Sequence, residues 1–329
     1  MTDRYIVGVD LGGTSINVGV LPYAGGRVLG MRSLPTEPQR GAKFVVDRMI
    51  ELIRAAMKDA RREGAIPDDG FIGIGIGSPG PLDRRTGTVL ETPNLGWRNF
   101  PLRDLIANAI GLEAVLDNDA NCAALGEFWQ GAARHVRHLV GVTLGTGIGG
   151  GIVVDGRVFH GASDLAGEIG HMTIDSTGRK CNCGNYGCLE AYASGPAIAA
   201  RAVEGLEANG NSLLPALVEG DLTRVTAETV YEAIVAGDLY AREVMRETAN
   251  FLGTGLANLI NLMNPEMIVI SGGVTRAGGH LLGPLRTEVR RRAFRGGFES
   301  CEIVTSELGG MAGVVGAVAT YKVERCGGL

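Results

Sequence analysis

The chain reads as an α/β protein made of two related halves. Short apolar runs suited to strands alternate with stretches whose apolar residues recur at helical spacing. A strand, a glycine turn and a second strand open the chain at residues 5–21, and the same arrangement returns at 139–159. The 329 residues are enough for two domains, and the composition, 45% hydrophobic and 20% charged, is that of a globular protein.

The elements follow in order. Residues 5–9 are a strand, Asp10-Leu-Gly12-Gly13-Thr14-Ser15 is a turn, and 16–21 complete a hairpin. From 44 to 57, Val45, Val46, Met49, Ile50, Ile53, Ala56 and Met57 share one helical face. Phe71-Ile-Gly-Ile-Gly-Ile-Gly77 is a buried strand, and the stretches from Gly77 to Asp83 and from Thr92 to Asn94 read as loops. Residues 101–110 are a helix, and 114–117 a strand ending on Asn118-Asp119-Ala-Asn121. The strand at 139–144 runs into Gly145-Thr146-Gly147-Ile-Gly149-Gly150-Gly151, and a hairpin at 152–159 turns on Asp155-Gly156. After Ser194-Gly-Pro196 the chain is largely helical to about Met263, with loops near 209–211 and Gly220. A strand at 267–271 leads into Gly272-Gly273, a last strand covers 302–306, and a helix closes the chain at 313–323.

Composition excludes several functions. No apolar run approaches the roughly 18 residues of a membrane helix. A net charge of −5 argues against nucleic-acid binding, and the basic residues between Arg286 and Arg295 form a solvated helix face. The N-terminus carries no long apolar segment of the secretory kind, so a cytoplasmic protein is expected. The 52 glycines gather in loops after apolar runs, where phosphate sites are usually built.

One stretch is dense in ligand chemistry: Glu168-Ile-Gly170-His171, then Cys181-Asn-Cys183-Gly184-Asn-Tyr-Gly187-Cys188-Leu-Glu190. An imidazole and three thiols suit tetrahedral zinc. A disulfide knot would suit an exported chain, so zinc is the expected reading. Cys122, Cys301 and Cys326 are scattered and read as small buried hydrophobes. A zinc-bound histidine has a second ring nitrogen that needs a partner, which makes the segment a metal-stiffened wall flanked by Glu168 and Glu190.

The two glycine hairpins can grip a polyphosphate through their backbone amides. That is the arrangement of the actin-like (sugar kinase/heat-shock ATPase) fold, two RNase H-like α/β domains around a cleft. The expected division is 1–122, completed by the closing helix at about 312–329, and 123–311 with the zinc stretch and the helical insertion. A dinucleotide site at 145–151 is disfavoured because a strand-like run follows it where a helix is needed. Asp10 can hold Mg²⁺ directly or through water. At the strand end, Asp119 can take a proton from a substrate hydroxyl. The same Asx cluster can equally cap the helix that follows.

The order and spacing of these motifs resemble the ROK family (repressor, open reading frame, kinase) along almost the whole chain. The matching residues are Asp10-x-Gly12-Gly13-Thr14, Gly77-x-Pro79-Gly80, Asn94, Asn118-Asp119, Gly145-Thr146-Gly147-x-Gly149-Gly150, Glu168-x-Gly170-His171 and the Cys181–Glu190 stretch. Within it the likeness is greatest to the branch that phosphorylates glucose with ATP. The resemblance implies Asp119 as base for the sugar 6-hydroxyl, with Gly80, Asn94, Asn118, Glu168, His171 and Glu190 as sugar contacts. It implies Asp10, Gly12, Gly13, Thr14, Thr146 and Gly147 at the phosphates and Gly272 and Gly273 at the adenosine. His171, Cys181, Cys183 and Cys188 would bind structural Zn²⁺, with ATP and Mg²⁺ as the other cofactors. Its further implications are a homo-oligomer, dimer or tetramer, with a sugar and ATP as partners and neither nucleic acid nor membrane. The rivals are a sibling kinase for fructose, mannose or N-acetylmannosamine, one using polyphosphate, and a sugar-responsive repressor. The last needs a DNA-binding domain before the first glycine loop, and Asp10 leaves no room for it.

Overall fold

The computed structural model describes residues 4–67, 69–92, 94–206 and 211–329; the loop expected near 209 and 210 lies outside them. The chain separates into two compact units, one of residues 1–141, 151–167 and 306–329, the other of 142–150 and 168–305.

The first unit begins with β1 (Tyr5–Leu11) and β2 (Ser15–Pro22), antiparallel with Leu11 opposite Ile16, then β3 (Leu29–Pro35). The helix α1 (Ala42–Gly64) precedes β4 (Phe71–Ser78). The short strands β5 (Leu82–Asp83), β6 (Thr88–Thr92) and β7 (Trp97–Phe100) lead to α2 (Leu102–Ile110), β8 (Ala114–Asn118) and α3 (Asp119–Gln130). The main sheet has the order β3-β2-β1-β4-β8, with β1, β4 and β8 parallel. The expected loops at 77–83 and 92–94 reach the small antiparallel sheet β5-β6-β7 only at Leu82–Asp83 and Thr92, and in that sheet Trp97 stacks on Phe100. These strands are too short for the alternation of a strand to show in sequence.

Beyond them come β9 (Leu139–Leu144), β10 (Ile148–Val154) and β11 (Arg157–Val158). The insertion after Ser194 is helical as expected. The short α4 (Glu190–Ala193) precedes it, and it comprises α5 (Gly195–Glu204), α6 (Leu214–Leu217), α7 (Ala227–Val235) and the long α8 (Leu239–Met263). Then follow β12 (Met267–Ser271), α9 (Gly279–Arg292), α10 (Arg295–Ser300), β13 (Glu302–Thr305) and α11 (Ala312–Cys326). The second sheet runs β11-β10-β9-β12-β13.

The two faces of the main sheet are packed differently. Val7, Val9, Leu11, Ile74 and Ile76 form one core with Val45, Met49, Ile53 and Ala56 of α1. On the other face, Ile6, Leu21 and Val115 meet Val314, Val315, Val318 and Tyr321 of α11. Gly8 of β1 and Gly73 and Gly75 of β4 face α11. A Cβ on Gly8 would lie 2.2 Å from the Val314 carbonyl oxygen, and one on Gly75 only 1.7 Å from that of Ala317. Gly73 leaves room for the Tyr321 ring. Between α3 and α11, Gly126 and Gly316 play the same part against the Ala312 and Cys122 carbonyls. The expectation that glycine marks phosphate loops therefore fails for these five: they let a helix approach a sheet and another helix closely.

The unit boundary also differs from the expected one at 122, which falls inside α3. Because α3 packs along α11 as a whole helix, residues 123–141 stay with the first unit. Of the scattered cysteines, Cys122 and Cys301 are buried as expected, but Cys326 is exposed.

Candidate active site

In the first unit the expected residues collect at the carboxyl ends of the parallel strands, the usual ligand edge of α/β sheets. Asp10 on β1 is level with Gly77 on β4, and Gly77 with Asp117 on β8. Gly12, Gly13 and Thr14 turn over just beyond Asp10, and the Asn94 side chain lies 3.5 Å from where a Cβ on Gly13 would be. Gly80 has φ 86°, and a Cβ there would lie 2.3 Å from the Glu91 carbonyl oxygen, which seats it on β6.

The Asx cluster sits at the turn from β8 into α3. Asn118 is the helix cap, its Oδ1 accepting from the amides of Ala120 (2.9 Å) and Asn121 (3.2 Å). Its Nδ2 stays available to donate to a hydroxyl. Asp119 is the first helical residue; its Oδ1 accepts from the Ala120 amide at 2.9 Å. Asp10 accepts from the Asn17 amide at 3.2 Å and lies against Gly313, and burial raises its pKa.

Asp117 is 1% exposed and holds this turn from behind. Its Oδ1 accepts from the Asn118 amide (2.7 Å) and from Asn121 Nδ2 (3.2 Å). Its Oδ2 meets His160 Nε2 at 2.8 Å and Arg84 Nε at 3.6 Å. Arg84 also pairs with Glu324 and Asp164. Burial alone would lower the guanidinium pKa, but the carboxylates of Asp117, Glu324 and Asp164 outweigh it and hold it raised. The sequence offered no sign of His160 or Arg84: neither stands in a motif, and His160 lies 43 residues from its partner.

In the second unit the loop Gly145-Thr146-Gly147 follows β9. Gly272 is packed on the same strand end, since a Cβ there would lie 2.2 Å from the Leu144 carbonyl oxygen. Beside them opens a cavity of about 460 Å³ lined by Thr146, Pro196, Tyr231, Met245, Gly273 and Val274, among others. That is within the range of small-molecule sites, roughly 300–1,000 Å³. The Arg276–Glu228 ion pair (2.7 Å) stands among its walls. Glu190 reaches the same loop: its Oε2 accepts from the Ile148 amide at 2.9 Å.

The four expected metal ligands come together, with their donor atoms all within 4.8 Å of one another. Cys183 Sγ and Cys188 Sγ are 3.7 Å apart, and Cys181 Sγ and His171 Nδ1 are 3.9 Å apart. A zinc tetrahedron has edges of roughly 3.5–3.8 Å; the Cys183–Cys188 pair lies in that range, and one imidazole with three thiols is the donor chemistry that suits the ion. Burial pushes the Cys188 thiol up to about 12, with Cys183 and Cys181 adding to it. Burial also raises Cys181, while the Asn185 amide lowers Cys183. With Nδ1 in the cluster, the other ring nitrogen of His171 faces Glu168 Oε2 at 3.9 Å.

The family model described as ROK family matches residues 6–324. A glucokinase of Halalkalibacterium halodurans is 40% identical over 317 residues, 96% of this chain and 94% of that protein. A glucokinase of Thermotoga maritima is 38% identical over 324 residues, 98% of each. The solved structure of a ROK family glucokinase from Streptomyces griseus, in complex with glucose and AMPPNP, superposes with a TM-score of 0.83 at 36% identity, covering 95% of this chain and 98% of that one. The fold is the actin-like, sugar kinase/heat-shock ATPase fold that the two glycine hairpins foretell.

Proposed function

Because the chain belongs to the ROK family, we propose that it transfers the γ-phosphoryl group of ATP to the 6-hydroxyl of a hexose, glucose before others. The observation that carries the reading is the strand-end row of Asp10, the first glycine loop and Asn118-Asp119, which puts a carboxylate and hydrogen-bonding amides where α/β sheets bind ligands. The glucokinase relatives support glucose as the substrate.

Asp119 accepts the proton of the sugar 6-hydroxyl as its oxygen bonds to the γ-phosphorus. The bond from that phosphorus to the bridging oxygen breaks, and ADP leaves. General-base help of this kind contributes roughly 10²–10⁴-fold, and positioning and electrostatics carry the rest. Asn94 and the Asn118 amide hydrogen-bond the sugar, joined by the Gly80 backbone. Glu168, Glu190 and His171 Nε2 are further hydroxyl partners of the sugar. The loops carrying Gly12, Gly13, Thr14, Thr146 and Gly147 serve the phosphates, and Gly272 and Gly273 the adenosine. Asp10 is the carboxylate offered to Mg²⁺, which neutralises phosphate charge when bound. His171, Cys181, Cys183 and Cys188 would hold a structural zinc that supports the His171 and Glu190 wall and takes no part in the transfer. We read the domains as following the two units, and the protein as a cytoplasmic dimer or tetramer.

The test is ADP release with ATP across glucose, mannose, fructose and N-acetylmannosamine. Glucose should give the highest kcat/KM, since a site built for its hydroxyls leaves polar groups unpaired with the others. A sibling sugar ranking first would move the protein to a neighbouring branch, and no turnover on any hexose would end the kinase reading.

A further inference from the structure

Thr36 lies one residue past β3 and has no exposed surface. Its hydroxyl donates to the Gly12 carbonyl at 2.7 Å, and its amide donates to the Thr14 carbonyl at 2.9 Å. Two carbonyls of the first glycine loop are thus drawn to one side. A trans peptide is a rigid plane with its C=O and N–H on opposite edges. Holding the Gly12 carbonyl toward Thr36 therefore turns the Gly13 amide the other way. Among the described residues no acceptor takes the amide hydrogens of Gly13 or Thr14. The Gly12 amide does bond across the hairpin to the Ser15 carbonyl (2.9 Å), but the Gly12 carbonyl is held by Thr36. The second glycine loop is braced similarly: the Gly195 amide donates to the Gly145 carbonyl at 2.8 Å. There the main chain does what the Thr36 hydroxyl does in the first loop.

We infer that Thr36 is a positioning residue for phosphoryl transfer, fixing the Gly12–Gly13 peptide plane so that the Gly13 amide faces the nucleotide phosphates. The inference rests on the reading of Gly12, Gly13 and Thr14 as phosphate contacts. Thr36 itself touches no substrate. Its hydroxyl acts through Gly12, because without it that carbonyl is released and the amide cradle loses its preset orientation.

Thr36→Val keeps the shape and removes the hydroxyl. In the full chain, kcat/KM for ATP should fall by about 10–100-fold, the lower range for a misplaced anion-binding donor. KM for glucose should stay within about twofold, and Thr36→Ser should restore most of the loss, because its hydroxyl can remake the bond. A residue that only fills a buried corner would lower the melting temperature without this split between ATP and sugar, and Ser would not rescue it. Unchanged ATP parameters in Thr36→Val, or no rescue by Thr36→Ser, would overturn the inference. If Thr36→Val fails to fold, Thr36→Ala removes the same hydroxyl and is read the same way. The NMR shift of the Gly13 amide on adding AMPPNP separates the two levels. If it does not move, the phosphate-loop reading falls and takes the inference with it. If it moves in the parent while Thr36→Val leaves the ATP parameters unchanged, the inference alone falls.

Discussion

Asp117 and Asp119 stand two residues apart in opposite surroundings. Asp117 is buried against His160 and Arg84, while Asp119 is a half-buried residue opening α3. Such a contrast assigns one carboxylate to scaffolding and the other to proton transfer. Asp119→Asn should lower kcat by about 10²-fold or more with little change in either KM, the pattern of a group needed in the transition state. Near-normal turnover would reduce Asp119 to a first-turn residue of α3, whose cap is Asn118. Asp10 makes a pH-dependent prediction. Burial raises its pKa, against a smaller opposing effect of the Asn17 amide. The ionised carboxylate thus destabilises the fold above its folded pKa, and the penalty vanishes below the unfolded value of about 3.9, where both states are protonated. Asp10→Asn should therefore melt higher than the parent near pH 7 yet equally below about pH 4, while losing turnover; a thermal gain that persisted in acid would have another origin. Asp119 was legible because a carboxylate at a strand end is a local pattern. Thr36, His160 and Arg84 were not, since each acts on residues at least 22 positions away.

The alternation of glycine and isoleucine in β4 gives each face of one strand a separate task. Ile74 and Ile76 bury against α1, and Gly73 and Gly75 admit α11. Gly75→Ala forces a methyl onto the Ala317 carbonyl and should destabilise by at least the roughly 1–3 kcal/mol of ordinary overpacking. Gly296→Ala in α10, with nothing within 4 Å of the new methyl, should be neutral or slightly stabilising. Equal melting temperatures for the two would contradict the packing account. The strand itself was readable from its apolar run, but the purpose of its glycines was not, because the partner helix lies at the far end of the chain. The zinc segment is the reverse case: spacing alone predicted a cluster whose donors converge. Metal analysis should find about one zinc per chain, and Cys183→Ala should lose it together with glucose affinity. Full zinc occupancy in that variant would remove Cys183 from the ligand set.

At the scale of the molecule, the duplicated strand, glycine turn and strand made the fold class readable, since the same local pattern occurs twice. The division into units was less readable, because membership follows packing partners. The helix α11 belongs with strands made long before it, and Tyr321 donates to the Ile72 carbonyl across 249 positions. That separation has a meaning during synthesis. At roughly 5–20 residues per second, a ribosome makes β4 some 10–50 s before α11. Throughout that interval the glycine-lined face of the nascent sheet has no cover. The first unit can therefore close only after the second has been translated, whichever of them folds first in a test tube. A growing chain of this kind is a natural client for chaperones that shield exposed strands, and its yield in cells should depend on them more than its final stability suggests.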